Sequence, residues 1–383
     1  MMNLTQVVFS EEKGWNTTYK TTDFSPGKAN LVLAFSAKKL LSDTELTDSI
    51  QERYPNAEVV FCSTAGEIAG VHVDDDTIAC TAIQFEKTSL KTTILNIGDF
   101  ESSFELGSKI PEALGVSGLK HILLISDGQL VNGTELTNGI SEATPESVII
   151  TGGMAGDAAN FSETIVGLNK EIGTGNVVGI GFYGDHLNVK YGTMGGWDEF
   201  GPHRTVTKSN GNILYELDGK SALDLYKKYL GPKANELPGS ALLFPLSMQT
   251  TPEREPLVRT ILSINEDDKS MIFAGDIPQG STVRFMKSNF DRLIDGASIA
   301  ASNSLDKEND HLKPQLVLLI SCVGRKLVLD QRIEEEVEAV EEVFGKNVCY
   351  GGFYSYGELA PSQRNTKCDL HNQTMTLTTY FES

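Results

Sequence analysis

The chain reads as a mixed α/β protein in which internally duplicated strand-helix-strand units form two sheet-containing lobes with helices packed on them. Three observations predict this. A phrase of one small or flat residue, a glycine and a carboxylate returns as Ala65-Gly66-Glu67, Ala155-Gly156-Asp157, Ala274-Gly275-Asp276 and Tyr356-Gly357-Glu358. Three of the four close a similar passage: an apolar strand-like run (Leu31 to Phe35, Ile122 to Ile125, Leu316 to Ile320), a helix-compatible stretch, then a second apolar run ending in the phrase. First strand to carboxylate takes about 30 to 40 residues, the length of one strand-helix-strand unit with its turns. Finally, 383 residues exceed the size at which one core keeps growing, so two lobes or one large duplicated body is the expected plan.

In order along the chain, Leu31 to Ser36 is a strand, Leu40 to Arg53 a helix with Ser42 as N-cap, and Ala57 to Cys62 a strand leading into the first phrase. Thr77 to Phe85 and Leu90 to Ile97 read as paired strands, followed by a helix near Phe104 to Leu114 and the strand His121 to Ser126. Ser147 to Thr151 runs into the second phrase. Val177 to Tyr183 and His186 to Thr193 alternate around Gly184-Asp185, a hairpin signal. Gly195 to Pro202 is the expected loop between halves. Beyond it come a strand Asn210 to Leu217, a helix Ser221 to Leu230 capped by Ser221, and a hairpin of Arg259 to Asn265 with Ser270 to Phe273. Because a hairpin replaces the helix there, Ala274-Gly275-Asp276 is the weakest echo. Phe290 to Ser304 is a helix whose face of Gly296, Ala297, Ala300 and Ala301 lets it lie close to a sheet. Strand Gln315 to Ser321, a long helix Arg325 to Phe344, strand Asn347 to Gly351 and a last strand Met375 to Phe381 complete the chain.

A formal net charge of -20 and a pI of about 4.7 repel phosphates and anionic headgroups, so nucleic acid is excluded as partner. No apolar run approaches the roughly 18 residues of a membrane span, and Met1 to Trp15 carries Glu11 and Glu12 where a leader would be basic, so a cytoplasmic protein with no membrane insertion is expected. Five cysteines (Cys62, Cys80, Cys322, Cys349, Cys368) with no C-x-x-C pair suggest neither a disulfide framework nor structural zinc. Cys62, Cys322 and Cys349 sit in or beside apolar runs and read as packing residues. The glutamates of Gln331 to Phe344 read as a solvated helix face around Ile333, Val337, Val340, Val343 and Phe344. Neither a phosphate-binding loop nor a hydrolase elbow motif is present.

A glycine after a strand permits a left-handed turn or close approach to a ligand, and a carboxylate next to it accepts bonds from an ammonium group. The simpler role is a turn with a cap. The last copy adds Tyr354, Tyr356 and, after the neighbouring strand, Arg325: aromatic walls, a carboxylate and a guanidinium suited to a zwitterion.

Phe61 to Ile68, Gly152 to Asp157, Ser321 to Lys326, Gly352 to Glu358 and His371 to Thr374 resemble, in order, the motifs of the FIST family, sensory domains of signal-transduction proteins. The resemblance implies a FIST N-terminal domain over 28–200 and a FIST C-terminal domain over 201–383. It implies a sensor that binds a small ligand, an amino acid or relative, and reports to a histidine kinase or other signalling protein. For a subset of stand-alone bacterial members it also implies haem binding and nitric oxide sensing, and the segments Gly195 to Pro202 and Leu214 to Gly219 are similar to what such members carry. The motif positions give the candidate ligand-binding residues Ser63, Thr64, Glu67, Gly153, Asp157, Arg325, Tyr354, Tyr356, Glu358, His371 and Asn372.

No cofactor is predicted outright. Haem needs an axial donor, and of His72, His121, His186, His203, His311 and His371 only His371 belongs to a family phrase. A structural histidine bonded to backbone is the alternative there. An enzyme using Cys62 with Glu67, or His371 with Glu358, is the third functional class, and no spacing places either pair in contact.

Overall fold

The three apolar runs become strands Leu31–Ser36, Leu119–Ser126 and Leu316–Cys322, buried along almost their whole length as sheets covered on both faces require. Each leads through a helix to a parallel neighbour: Glu58–Ser63, Ile149–Met154 and Cys349–Ser355. On its other side each accepts an antiparallel return strand: Ile78–Gln84, Asn176–Tyr183 and Met375–Glu382. Three copies of one unit therefore build three sheets. The computed structural model describes residues 1–237, 239–252, 254–305, 313–362 and 366–383.

Each unit also gives a short hairpin away. Glu67–Ala69 leaves the first unit to pair with Cys349–Ser355 of the third, and Gly357–Pro361 leaves the third to pair with Ile149–Met154 of the second. Val166–Leu168 leaves the second to pair with Glu58–Ser63 of the first. The exchange closes a ring, so no unit completes its sheet alone. One core cluster accordingly draws Phe35, Ile125, Phe182, Ile320, Phe353 and Tyr380 from all three, and the Phe35 and Phe353 rings lie 4.7 Å apart across the first and third units.

The second lobe is inserted between strand Leu187–Met194 and helix Phe290–Ser304 of the third unit. Its antiparallel sheet runs from Asp198–Asn210 to Thr282–Lys287 around a core of its own that includes Val206, Leu214, Tyr226, Phe273 and Phe285. The Arg259-to-Phe273 hairpin forms as expected, with Ile261–Asn265 on Ser270–Phe273. So does the helix Phe290–Ser304. It lies close on its sheet because a Cβ at Gly192 would come within 2.0 Å of the Ala300 carbonyl oxygen.

Several local expectations differ. The strands around residues 77–97 do not pair with each other: Ile78–Gln84 stays in the first sheet while Ser89–Asn96 pairs with Asn176–Tyr183. Nor do those around Gly184-Asp185, since Leu187–Met194 pairs with Met375–Glu382. In both cases the chain is passing from one unit to the next, and a short polar turn serves that crossing as well as a reversal. The first helix is two pieces, Lys38–Leu41 and Thr44–Arg53, and its cap is Asp43, whose side chain accepts from the Glu45 and Leu46 amides. The long helix breaks at Asp330, which has a left-handed φ of 48°, into Val323–Leu329 and Ile333–Phe344. Residues 198–202 open a strand instead of a loop. Glu336 is fully buried, so the glutamate face is not wholly solvated.

Candidate functional site

Ligands of open α/β sheets bind beyond the carboxyl ends of the parallel strands. Here those ends bring Ala37, Thr64, Asp157 and Val323 from all three units to the edge of one cleft, of about 1590 Å³ including its open mouth. Thr64, Glu67 and Asp157 line it among the candidate residues, with Lys38, Asp75, Asn160, Ser162 and Lys326.

The phrase carboxylates are not equivalent. Glu67 is buried and accepts from Thr64 Oγ1 and from both Thr77 N (3.1 Å) and Thr77 Oγ1 (2.7 Å). Glu358 repeats this with Ser355 Oγ (2.8 Å), Thr374 N (3.1 Å) and Thr374 Oγ1 (2.8 Å). Burial pushes Glu67 up to about 7 and Glu358 up to about 8, against the pull of those hydrogen bonds. In the second unit the outgoing strand starts only at Val166, so Asp157 instead opens a loop. Burial there would raise its carboxyl, but hydrogen bonds from Lys38, Ser162 and Asn160 and the Lys38 charge outweigh it and hold the group below its ordinary value. Lys38 Nζ lies 2.8 Å from Asp157 Oδ2.

Ser63 and Tyr356 brace this loop. Ser63 Oγ donates to Gly156 O and accepts from Ile165 N, both at 2.8 Å, clasping the loop at its base. The Tyr356 hydroxyl accepts from Phe161 N at 3.0 Å, and the two rings stack at 4.7 Å. Ala158 and Phe161 both hold left-handed φ values, 47° and 50°, a backbone strain that the clasp and the stack sustain.

From helix Val323–Leu329 the cleft receives Lys326, not its neighbour Arg325. Lys326 Nζ donates to Ala65 O at 2.9 Å, pairs with Asp75, and lies 5.8 Å from the centroid of the Tyr354 ring. Arg325 turns inward, where Nε and Nη2 both meet Glu336 Oε2 and the remaining donors reach Gly195 O and Leu293 O. Tyr354 is enclosed with them, its hydroxyl on Glu336 Oε1 at 2.6 Å. Gly153 sits in a sheet opposite Glu358, where a Cβ would press within 2.6 Å of the Ile320 side chain. Asn372 is buried with neither amide atom partnered among the described residues. Lys38, Asp75 and Lys326 were absent from the sequence candidates. Only Lys326 carried a signal, as the last residue of a family phrase.

A haem does not fit the residues around His371. That ring is buried, its Nε2 is 3.0 Å from Ala360 O, and burial lowers its affinity for a proton. Among the described residues no histidine lines the clefts at the strand ends or at the seam between lobes. His121 is likewise spent on Ile149 O and the Tyr380 hydroxyl, and His311 lies outside the described residues. No group of three or more His, Cys, Asp or Glu suited to a metal occurs among the described residues. All five cysteines are buried, and burial pushes the Cys62 thiol well above its usual range.

No helix among the described residues is long and apolar enough to cross a membrane. The chain is similar to an uncharacterized protein of Methanocaldococcus jannaschii, 24% identical over 384 residues that cover 87% of this chain and 70% of the relative. Among solved structures it resembles a chorismatase (8% identity, TM-score 0.40, covering 100% of this chain and 99% of that one). It also resembles a cyanuric acid hydrolase from A. caulinodans (7% identity, TM-score 0.37, 100% and 99%). Likeness at that level carries no argument about chemistry. Residues 30–220 match the FIST N domain and residues 222–361 the FIST C domain, so the chain belongs to the FIST family of signal-transduction sensor domains.

Proposed function

We propose that the cleft at the strand ends is the receptor site of this sensor and that it takes a small zwitterion, an amino acid or a close relative. One observation carries the reading: of the ion pairs that face the cleft, Lys38 with Asp157 and Lys326 with Asp75 each bridge two units. A ligand bearing one ammonium and one carboxylate can replace a partner in both. Its carboxylate takes Lys326 from Asp75, which is largely exposed and holds the lysine weakly. Its ammonium goes to Asp157, the acid that stays ionised, while Glu67, raised by burial, offers a hydrogen bond more than a charge.

Both bridges cross unit boundaries, so their exchange gives the ligand different affinities for two arrangements of the ring, the condition for a signal. A histidine kinase or other cytoplasmic signalling protein would read the change. Calorimetric titration with α-amino acids, their amides and their deaminated analogues tests this. The zwitterions should bind saturably and both truncated sets at least tenfold more weakly, a loss of about 1.4 kcal/mol. Equal binding of the deaminated acids would remove the role of Asp157.

A further inference from the structure

Among the described residues two arginines are enclosed, and they are treated differently. Arg325 (0% exposed) has a carboxylate on its guanidinium, while Arg259 (3% exposed) has none within ion-pair distance among the described residues. Its Nε and Nη1 donate only to the main-chain oxygens of Asp276, Val258 and Leu370. A guanidinium carries five N–H donors. The two on Nη2 have no partner among the described residues, although Arg259 borders a cleft of about 1230 Å³ at the seam between the inserted lobe and the body. A cation this enclosed with no bonded anion is costly, and its two free donors open onto that cleft, where an anion can reach them.

We propose that this cleft is a second ligand site, for a small anion with carboxylate or phosphate oxygens that engages Arg259 Nη2. Arg254 and Lys367, both exposed, stand on the same cleft and supply further positive charge, with Thr137 and Ser362 as nearby hydroxyls. Three cations against three acids make the cleft less negative than the chain as a whole, with its 32 basic and 52 acidic residues. The acids that share the cleft are Glu255, Asp276 and Asp369. Asp369 accepts from Ser362 Oγ at 2.9 Å and Asp276 from Asn132 Nδ2 at 3.3 Å, and neither bonds the guanidinium. Burial lowers Arg259 to about 10 despite both aspartates, which shows that they compensate it only in part. The Ala274-Gly275-Asp276 echo finds its place here. A Cβ on Gly275 would come within 3.0 Å of Arg259 Nε, so the phrase lets the arginine reach the seam. The site is independent of the zwitterion cleft.

The test is calorimetric titration of the full chain with inorganic phosphate and, separately, acetate, against chloride at equal ionic strength. The wild type should take up about one equivalent of at least one of them saturably. Arg254→Gln and Lys367→Gln, exposed positions that leave folding intact, should each weaken uptake several-fold, and Arg259→Lys should weaken it further by losing the fork. Lys326→Ala should leave uptake unchanged. No saturable uptake of either anion, uptake that survives the Arg254→Gln/Lys367→Gln double variant, or uptake lost in Lys326→Ala would overturn the proposal.

Discussion

Arg325 and Glu336 form a fully enclosed ion pair, with Nε at 3.0 Å and Nη2 at 2.7 Å from the same carboxylate oxygen. The other oxygen, Oε1, accepts from Ser321 Oγ at 3.1 Å and the Tyr354 hydroxyl at 2.6 Å, so the pair ties strand, aromatic and helix together. Removing one member strands the other charge in the core. Arg325→Ala should therefore cost about 3–5 kcal/mol of stability, measured by urea unfolding. Variant protein that stays folded should bind zwitterions with little change.

Asp75 competes with a ligand for Lys326 and is itself mostly exposed, so that pair is worth about 0–1 kcal/mol. Asp75→Asn should tighten ligand binding by up to about fivefold, read by titration.

Glu67 and Glu358 have folded-state values raised above those of an unfolded chain, by burial in both cases. The folded state then binds more protons than the unfolded one. Their stabilising contribution is complete below the ordinary carboxylate range and is lost as pH rises through about 7 and about 8. Thermal denaturation should show stability falling from pH 5 to pH 9, at up to about 1.4 kcal/mol per pH unit for each group. Glu358→Gln, which cannot ionise, should flatten the upper part of that slope.

The five cysteines are buried, and burial pushes Cys80 and Cys349 up to about 12. A thiol reagent should label none of them in the native protein at neutral pH and all five after denaturation.

Much of the architecture was legible. The runs beginning at Leu31 and Leu316 are apolar throughout, and the phrases at Glu67 and Glu358 mark the ends where each unit hands a strand on. Which neighbour receives that strand was not legible, because three residues such as Glu67–Ala69 have no pattern that names a partner sheet. The same limit hid the two false hairpins. The spacing does mark Glu336: it stands three residues after Ile333 and four before Val340, on the buried stripe, but within a run of glutamates whose other members are not buried. The enclosed Glu336 is what draws Arg325 into the core, and Lys326, one residue on and pointing out, faces the cleft instead.

The central claim is that Lys326 and Asp157 hold the two charged ends of one ligand. The most direct measurement is calorimetric titration of wild type, Lys326→Ala and Asp157→Asn with the best-binding amino acid, each variant first matched to wild type in its unfolding curve. Loss of at least tenfold in affinity in both variants is the expected result. Failure of every amino acid to bind the wild type, or undiminished binding in both variants, would contradict it.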